Sequence, residues 1–231
     1  MPLFYDWTML LLLPALLLGV LAQSAVQNAF KKYSRVYAHT GQSAYQVARD
    51  ILDKNGAGNI RIEEITGGGS LSDHYDPKTR TLRLSPKVYS SSSIAALGIA
   101  AHEAGHALQH IEGYTLLNMR SAVVPLANIG SQLAFPLVFI GLFLQQPTLA
   151  MAGVVVYALA VVFQLLTLPV EINASSRALS ALGEGSYLDA QELPQAKKVL
   201  NAAAMTYLAA TIAAILQLLR LSILANRSSR R

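Results

Sequence analysis

The residues His102-Glu103-Ala104-Gly105-His106 match the pattern H-E-x-x-H. On a helix this spacing puts both imidazoles on one face, about 6 Å apart along the axis, where they can share one tetrahedral zinc ion. Glu103, one position past the first histidine, lies at the edge of that face. There it can take a proton from a water acidified by the metal and pass it to a leaving amine, the general-base role of peptide-bond hydrolysis. Three fixed letters recur by chance in helical sequence, so the surroundings matter. Residues 94–101 are rich in Ala, Leu and Ile, which places the motif on a buried helix. Two histidines and a glutamate buried without a metal would carry a desolvation cost. The chain has no cysteine, so any metal must be held by His and carboxylates, and a thiol nucleophile is excluded.

A catalytic zinc ordinarily has three protein ligands and a water. Downstream of His106 the acids are Glu112, Glu171, Glu184, Asp189 and Glu192. Glu112 is too near along the same helix, and the last three fall in a polar linker expected at the surface, which leaves Glu171. It opens the segment EINASSRAL, read as a short helix starting after Pro169, on which Glu171, Ser175 and Ala178 share a face. A carboxylate beside a membrane span is costly enough to imply a paired role; the alternative is a helix-N-terminal carboxylate favoured by the macrodipole. His110 continues the i+4 series but lies about 6 Å beyond His106 and cannot share the same ion. A third histidine six residues after the second is excluded, because that position is Glu112. His74 and Tyr75, in LSDHYDP, are candidate stabilisers of a tetrahedral oxyanion, or simply a polar lead into the Asp76-Pro77 turn. Arg177 either reaches a substrate carbonyl or pairs with a neighbouring carboxylate.

The elements that must position these groups are partly lipid-embedded. Of 231 residues, 53% are apolar and 13% charged, a balance that makes the bilayer part of the solvent. The net charge of +5 could suggest nucleic acid. The basic residues, however, are scattered or adjoin apolar runs, which fits anchoring at a membrane surface and excludes a nucleic-acid partner. Residues 1–28 form an N-terminal anchor: the start carries Asp6 and no Lys or Arg, and the cluster Lys31, Lys32, Arg35 follows the apolar run, the reverse of a cleaved signal. Residues 29–120 form a soluble module, with a helix over 43–54, strand candidates at 59–65 and 81–85 separated by Gly67-Gly68-Gly69, and the motif helix over about 92–111. Residues 121–168 form a transmembrane hairpin, 169–201 the third-ligand helix and a linker, and 202–231 a last transmembrane helix with a basic tail. Four spans result. The positive-inside rule puts the module in the cytoplasm, although Arg227, Arg230 and Arg231 then fall outside.

Assembled in order, the leading span, LSDHYDP, LRLSPKVY, AAHEAGHALQH, LPVEINASSRAL and NAAAMTYLAA resemble the bacterial neutral zinc metallopeptidase family of YugP-like membrane proteins along essentially the whole chain. The resemblance implies a predominantly α, integral membrane protein of the bacterial plasma membrane, with a small α+β zincin-like metallopeptidase module joined to a four-span helical bundle. It implies one zinc per chain, held by His102, His106 and Glu171, with Glu103 as catalyst. The expected partners are the lipid bilayer and a peptide or protein substrate associated with the membrane, with further membrane proteins or a second copy of the chain as possible associates. The chain is also similar to membrane-anchored gluzincins, in which an Asp follows the ligand Glu by four residues. Here that position is Ser175, so Ser175 or Asn173 would orient a ligand histidine as a neutral partner. An intramembrane protease would need a further Asp in a later span, and none lies between Asp76 and Asp189. A zinc-stabilised membrane scaffold or modulator without turnover is the alternative of a different class. A purely structural site would usually close the fourth position with another ligand.

Overall fold

The computed structural model describes residues 7–66 and 72–229. Asp6, the glycines at 67–69, Leu71 of LSDHYDP and the side chains of Arg227, Arg230 and Arg231 lie outside what is described. The chain is mostly helical with one small sheet. A 3-10 turn (Trp7–Leu12) leads into α1 (Leu13–Tyr33), followed by α2 (Ala44–Lys54), β1 (Arg61–Glu64), β2 (His74–Asp76), β3 (Thr81–Leu84), α3 (Pro86–Tyr89), α4 (Ile94–Ile111), α5 (Thr115–Phe143), α6 (Pro147–Glu184) and α7 (Leu193–Ser229). Among the described residues, four helical segments, Trp7–Tyr33, Thr115–Phe143, Pro147–Glu184 and Leu193–Asn226, are long and apolar enough to cross a membrane.

Two compact units result. The first comprises, among the described residues, 7–22, 116–169 and 206–229. Its buried cluster joins Ala134 and Val138 of α5, Ala150, Val154, Tyr157 and Val161 of α6, and Ala214, Leu221 and Ala225 of α7. The hairpin is tight, and only a glycine fits at 141: a Cβ there would overlap the backbone nitrogen of Ala150. Large apolar side chains such as Leu16, Ile129, Phe143 and Val155 stay exposed on its outer surface, the pattern expected of lipid-facing helices rather than of a water-soluble bundle.

The second unit comprises residues 23–115, as described, and 170–205. Its core is built on α2 and α4. The five α2 residues at helical spacing, Ala44, Val47, Ala48, Ile51 and Leu52, are all buried. Ser43 starts that helix with a reciprocal capping box to Gln46, and Gly56, at φ +71°, turns the chain away from its end. β3 is the middle strand, parallel to β1 and antiparallel to β2. Leu82 and Leu84 point from it into the core, while β2 is left as an edge. Ser93 caps α4 by accepting from the Ala96 N–H. Residues on nearly every side of α4 are buried, so the motif helix runs through the interior, as its composition predicts.

Two sequence expectations are revised. Pro169 does not end a helix: α6 continues through it from Pro147 to Glu184. Proline is tolerated inside long apolar helices where neighbouring groups compensate for the lost backbone bond. In addition, α7 begins at Leu193, well before residue 202. The turns around Lys197 and Lys198 read as linker because they are polar, yet Ala196, Val199 and Leu200 on their inner side are buried in the second unit.

Candidate metal centre

α4 carries His102, Glu103 and His106 on consecutive turns, and α6 supplies Glu171. The His102 Nε2 lies 3.2 Å, and the His106 Nε2 3.3 Å, from the same oxygen, Glu171 Oε2. Three such ligand atoms can be chosen within 4.8 Å of one another, and the two rings meet edge to face with centroids 4.7 Å apart. Zinc bound at roughly 2.0–2.2 Å by tetrahedral ligands separates those ligands by about 3.3–3.6 Å. The observed distances are therefore close to the edges of such a polyhedron. Glu171 is only 3% exposed and sits in the middle of α6 instead of at a helix start, so the macrodipole reading loses its basis.

The hydrogen bonds at the far side of each imidazole show which nitrogen faces Glu171. Gln109, fully buried, donates from Nε2 to the Val170 carbonyl and to Asn173 Oδ1, both at 2.9 Å. Its Oε1 must therefore be the atom facing His106 Nδ1 at 3.0 Å, and that nitrogen carries the proton. In the neutral ring the Nε2 lone pair then points at Glu171. Ser175 Oγ lies 3.1 Å from His102 Nδ1 and takes the position where an Asp was the gluzincin expectation. Lone pairs of two imidazoles converging on one carboxylate oxygen require a cation or a proton between them. Burial works against the charged His106 ring, but the hydrogen bond to Glu171, the carboxylates of Glu103 and Glu171 and the bond to Gln109 together raise its pKa. A divalent metal bound by these donors would displace that proton; the donor set of two imidazoles and a carboxylate suits zinc.

Glu103 follows His102 on the same helix. Burial holds its carboxyl above the ordinary range, helped by Glu171 and Asp73 and opposed by His106 and His102. Its Oε2 accepts the backbone N–H of Tyr75 at 2.9 Å, which ties the edge strand β2 to the motif helix. The Tyr75 hydroxyl meets His110 Nδ1 at 2.8 Å, a second tie between the same elements, so His110 lies beside the site rather than in it. His74 is exposed and bonds through Nδ1 to the Ser72 carbonyl at 2.8 Å. Arg177 forks to both oxygens of Glu112 at 2.8 and 2.7 Å and donates from Nε to Asn173 Oδ1 at 2.8 Å. Of the two readings of Arg177, pairing with a carboxylate is the one present. This side of the site, Gln109 above all, was missed from sequence; its only signal was a polar residue three positions past His106, on the same helix face.

A second group, His39, Asp189 and Glu192, also clusters, with Glu192 Oε2 2.7 Å from the His39 Nδ1 and both carboxylates serving the backbone as well. Asp189 Oδ1 accepts the N–H groups of Gln191 and Glu192, and Glu192 accepts those of His39 and Asp189. This arrangement caps the start of α7.

α4 and α6 can approach closely enough for a shared ligand set because of Gly105, the second variable position of the motif. A Cβ there would fall 2.8 Å from the Ala174 carbonyl oxygen. Gly105→Ala improves helix propensity by about 1 kcal/mol, but the clash is with backbone that cannot swing aside, and overpacking of this kind typically costs ~1–3 kcal/mol. The variant is expected to unfold at lower temperature and to hold zinc roughly tenfold less tightly. Thermal unfolding and zinc titration check this, and values equal to wild type in both would show that the close approach is not required.

Comparison with known proteins matches most of the chain. The family model described as "Putative neutral zinc metallopeptidase" matches residues 8–226. A curated relative from Bacillus subtilis (strain 168), named "Putative membrane protease YugP", is 44% identical over 211 residues, covering 91% of this chain and 92% of its own. No solved structure matches.

Proposed function

The chain belongs to the neutral zinc metallopeptidase family and is a membrane protein, and on that footing we propose that it is a zinc-dependent endopeptidase whose substrates are membrane-associated proteins. The observation that carries this reading is the convergence of His102 Nε2, His106 Nε2 and Glu171 Oε2, with the Glu103 carboxylate on the next position of the same helix. His102, His106 and Glu171 would hold one zinc per chain. The chemistry a bound zinc supplies is Lewis acidity, which lowers the pKa of a water and polarises a scissile carbonyl.

The protein's own groups do the remainder. Glu103 Oε2 is engaged by the Tyr75 N–H, so Oε1 is the atom that takes the proton from the attacking water and delivers it to the leaving amine. Burial raises its pKa above the ordinary carboxylate value, which favours holding that proton on its way to the leaving group. The sheet–helix arrangement, with edge strand β2 beside the motif helix, is consistent with a zincin-like module and offers an edge for an extended peptide. His74, exposed on β2, is the member of the His74, Tyr75, Arg177 set left open to a substrate. The basic cluster after the first span argues for a cytoplasmic module.

Elemental analysis of the detergent-purified protein, paired with hydrolysis of an unstructured protein such as casein, tests the reading. About one zinc per chain is expected, with hydrolysis abolished by a chelator and restored by added zinc. A protein that takes up no zinc would overturn it; one that binds zinc without hydrolysing any substrate presented in detergent or liposomes would favour the scaffold.

A further inference from the structure

We propose that Gln109 is the positioning residue of the metal centre, holding His106 in the one tautomer and orientation that can bind zinc, and that Asn173, with the Arg177–Glu112 pair behind it, fixes Gln109 in turn. The proposal rests on the reading of His102, His106 and Glu171 as zinc ligands.

Hydrogen-bond polarity fixes the orientation of Gln109. A glutamine amide is ambiguous in itself, since either end can face a histidine nitrogen. Here the ambiguity is removed twice. The Val170 carbonyl can only accept, and it takes one Nε2 proton. Asn173 Oδ1 takes the other, and Asn173 is itself oriented because the same oxygen accepts from Arg177 Nε. Arg177 has no acceptor of its own and is anchored by both oxygens of Glu112. Proton donation thus runs in one direction, and the only vacant position left on Gln109 is an acceptor, aimed at His106 Nδ1. The opposite tautomer of His106 would set two lone pairs against each other and place a proton on the atom that must bind metal. His102 lacks this guarantee, because the Ser175 hydroxyl can donate or accept.

Gln109 also differs in kind from a polar residue kept for packing. It is 0% exposed, and its two donors and its acceptor are all used, so its side chain has one arrangement. A partner that orients a ligand histidine through the remote nitrogen is generally worth about 10- to 100-fold in metal affinity.

The test is zinc affinity by chelator competition on the intact detergent-solubilised protein, wild type beside Gln109→Met, Gln109→Glu and Asn173→Ala, with unfolding of the metal-free forms as the structural control. Gln109→Met, close in volume but unable to accept, is expected to weaken zinc by about 10- to 100-fold. Gln109→Glu restores an acceptor toward His106 while losing both donors, so it should recover most of the affinity and none of the metal-free stability. Asn173→Ala, which frees one Gln109 donor and leaves the acceptor in place, is expected to lower affinity only several-fold. Affinity that follows metal-free stability across the three variants, with no recovery in Gln109→Glu, would reduce Gln109 to a packing residue. If Gln109→Glu does not fold, wild-type affinity in Gln109→Met is by itself enough to overturn the proposal. A wild type without zinc defeats the ligand reading first; a wild type whose zinc is lost in His102→Ala but not in Gln109→Met defeats this inference alone.

Discussion

A Glu103→Gln variant is expected to bind zinc as tightly as wild type and to hydrolyse peptide bonds roughly 10²- to 10⁴-fold more slowly. The substitution is conservative in every respect but one. Gln has the same length, its amide oxygen can still accept the Tyr75 N–H that now meets Glu103 Oε2 at 2.9 Å, and none of the ligand atoms is touched. What disappears is a group that can bind and release a proton. The buried environment that raises the Glu103 pKa would also lose a carboxylate near His106, a small change beside the ligand Glu171. Zinc content, circular dichroism and single-turnover hydrolysis measured on the same preparation separate the effects. Undiminished turnover would remove Glu103 from the mechanism, and loss of zinc would assign it a role in holding the site together.

Glu171→Ala is expected to reduce zinc affinity by about 10²- to 10³-fold, since structural zinc sites gain roughly 10–16 kcal/mol from four ligands and a single ligand therefore accounts for about 3 kcal/mol. Glu171 is the more exacting test because its assignment depends on the fold. His102 and His106 are neighbours on any helix, whereas Glu171 is 69 positions from His102 and reaches it only if α4 and α6 touch. Both imidazoles face a single oxygen of this carboxylate, so no neighbouring acid can substitute for it. Glu112, the nearest candidate by sequence, is committed to Arg177, which lowers its pKa. Competition with a chromogenic chelator reads the loss directly; unchanged affinity would mean the metal is held by the histidines and something other than Glu171.

Much of this protein follows from local pattern. The i, i+4 histidines, the alanine-rich approach, the capping serines at 43 and 93 and the four long apolar stretches are each determined within a few turns of chain. Helical period, capping and hydrophobic length are properties of neighbouring residues. The third candidate ligand could be reached by elimination because the chain offers so few acids after His106. The continuation of α6 through Pro169 and the early start of α7 could not be read that way. Both depend on which side chains are buried by residues far along the sequence, and that burial outweighs the local signals of a proline and a polar turn.

The sequence by itself determined a membrane-embedded chain with an H-E-x-x-H helix that sets two histidines on one face and a glutamate one residue past the first of them. Only the tertiary structure decided that Gln109, and no acid, stands behind His106, that Ser175 stands behind His102, and that Arg177 faces Glu112 rather than a substrate. The physical reason is that ligand spacing on one helix is set by covalent geometry, whereas the proton on an imidazole is set by whichever group packing brings to its other nitrogen. That packing depends on the contact between Gly105 and the backbone of Ala174, which no stretch of either helix specifies alone.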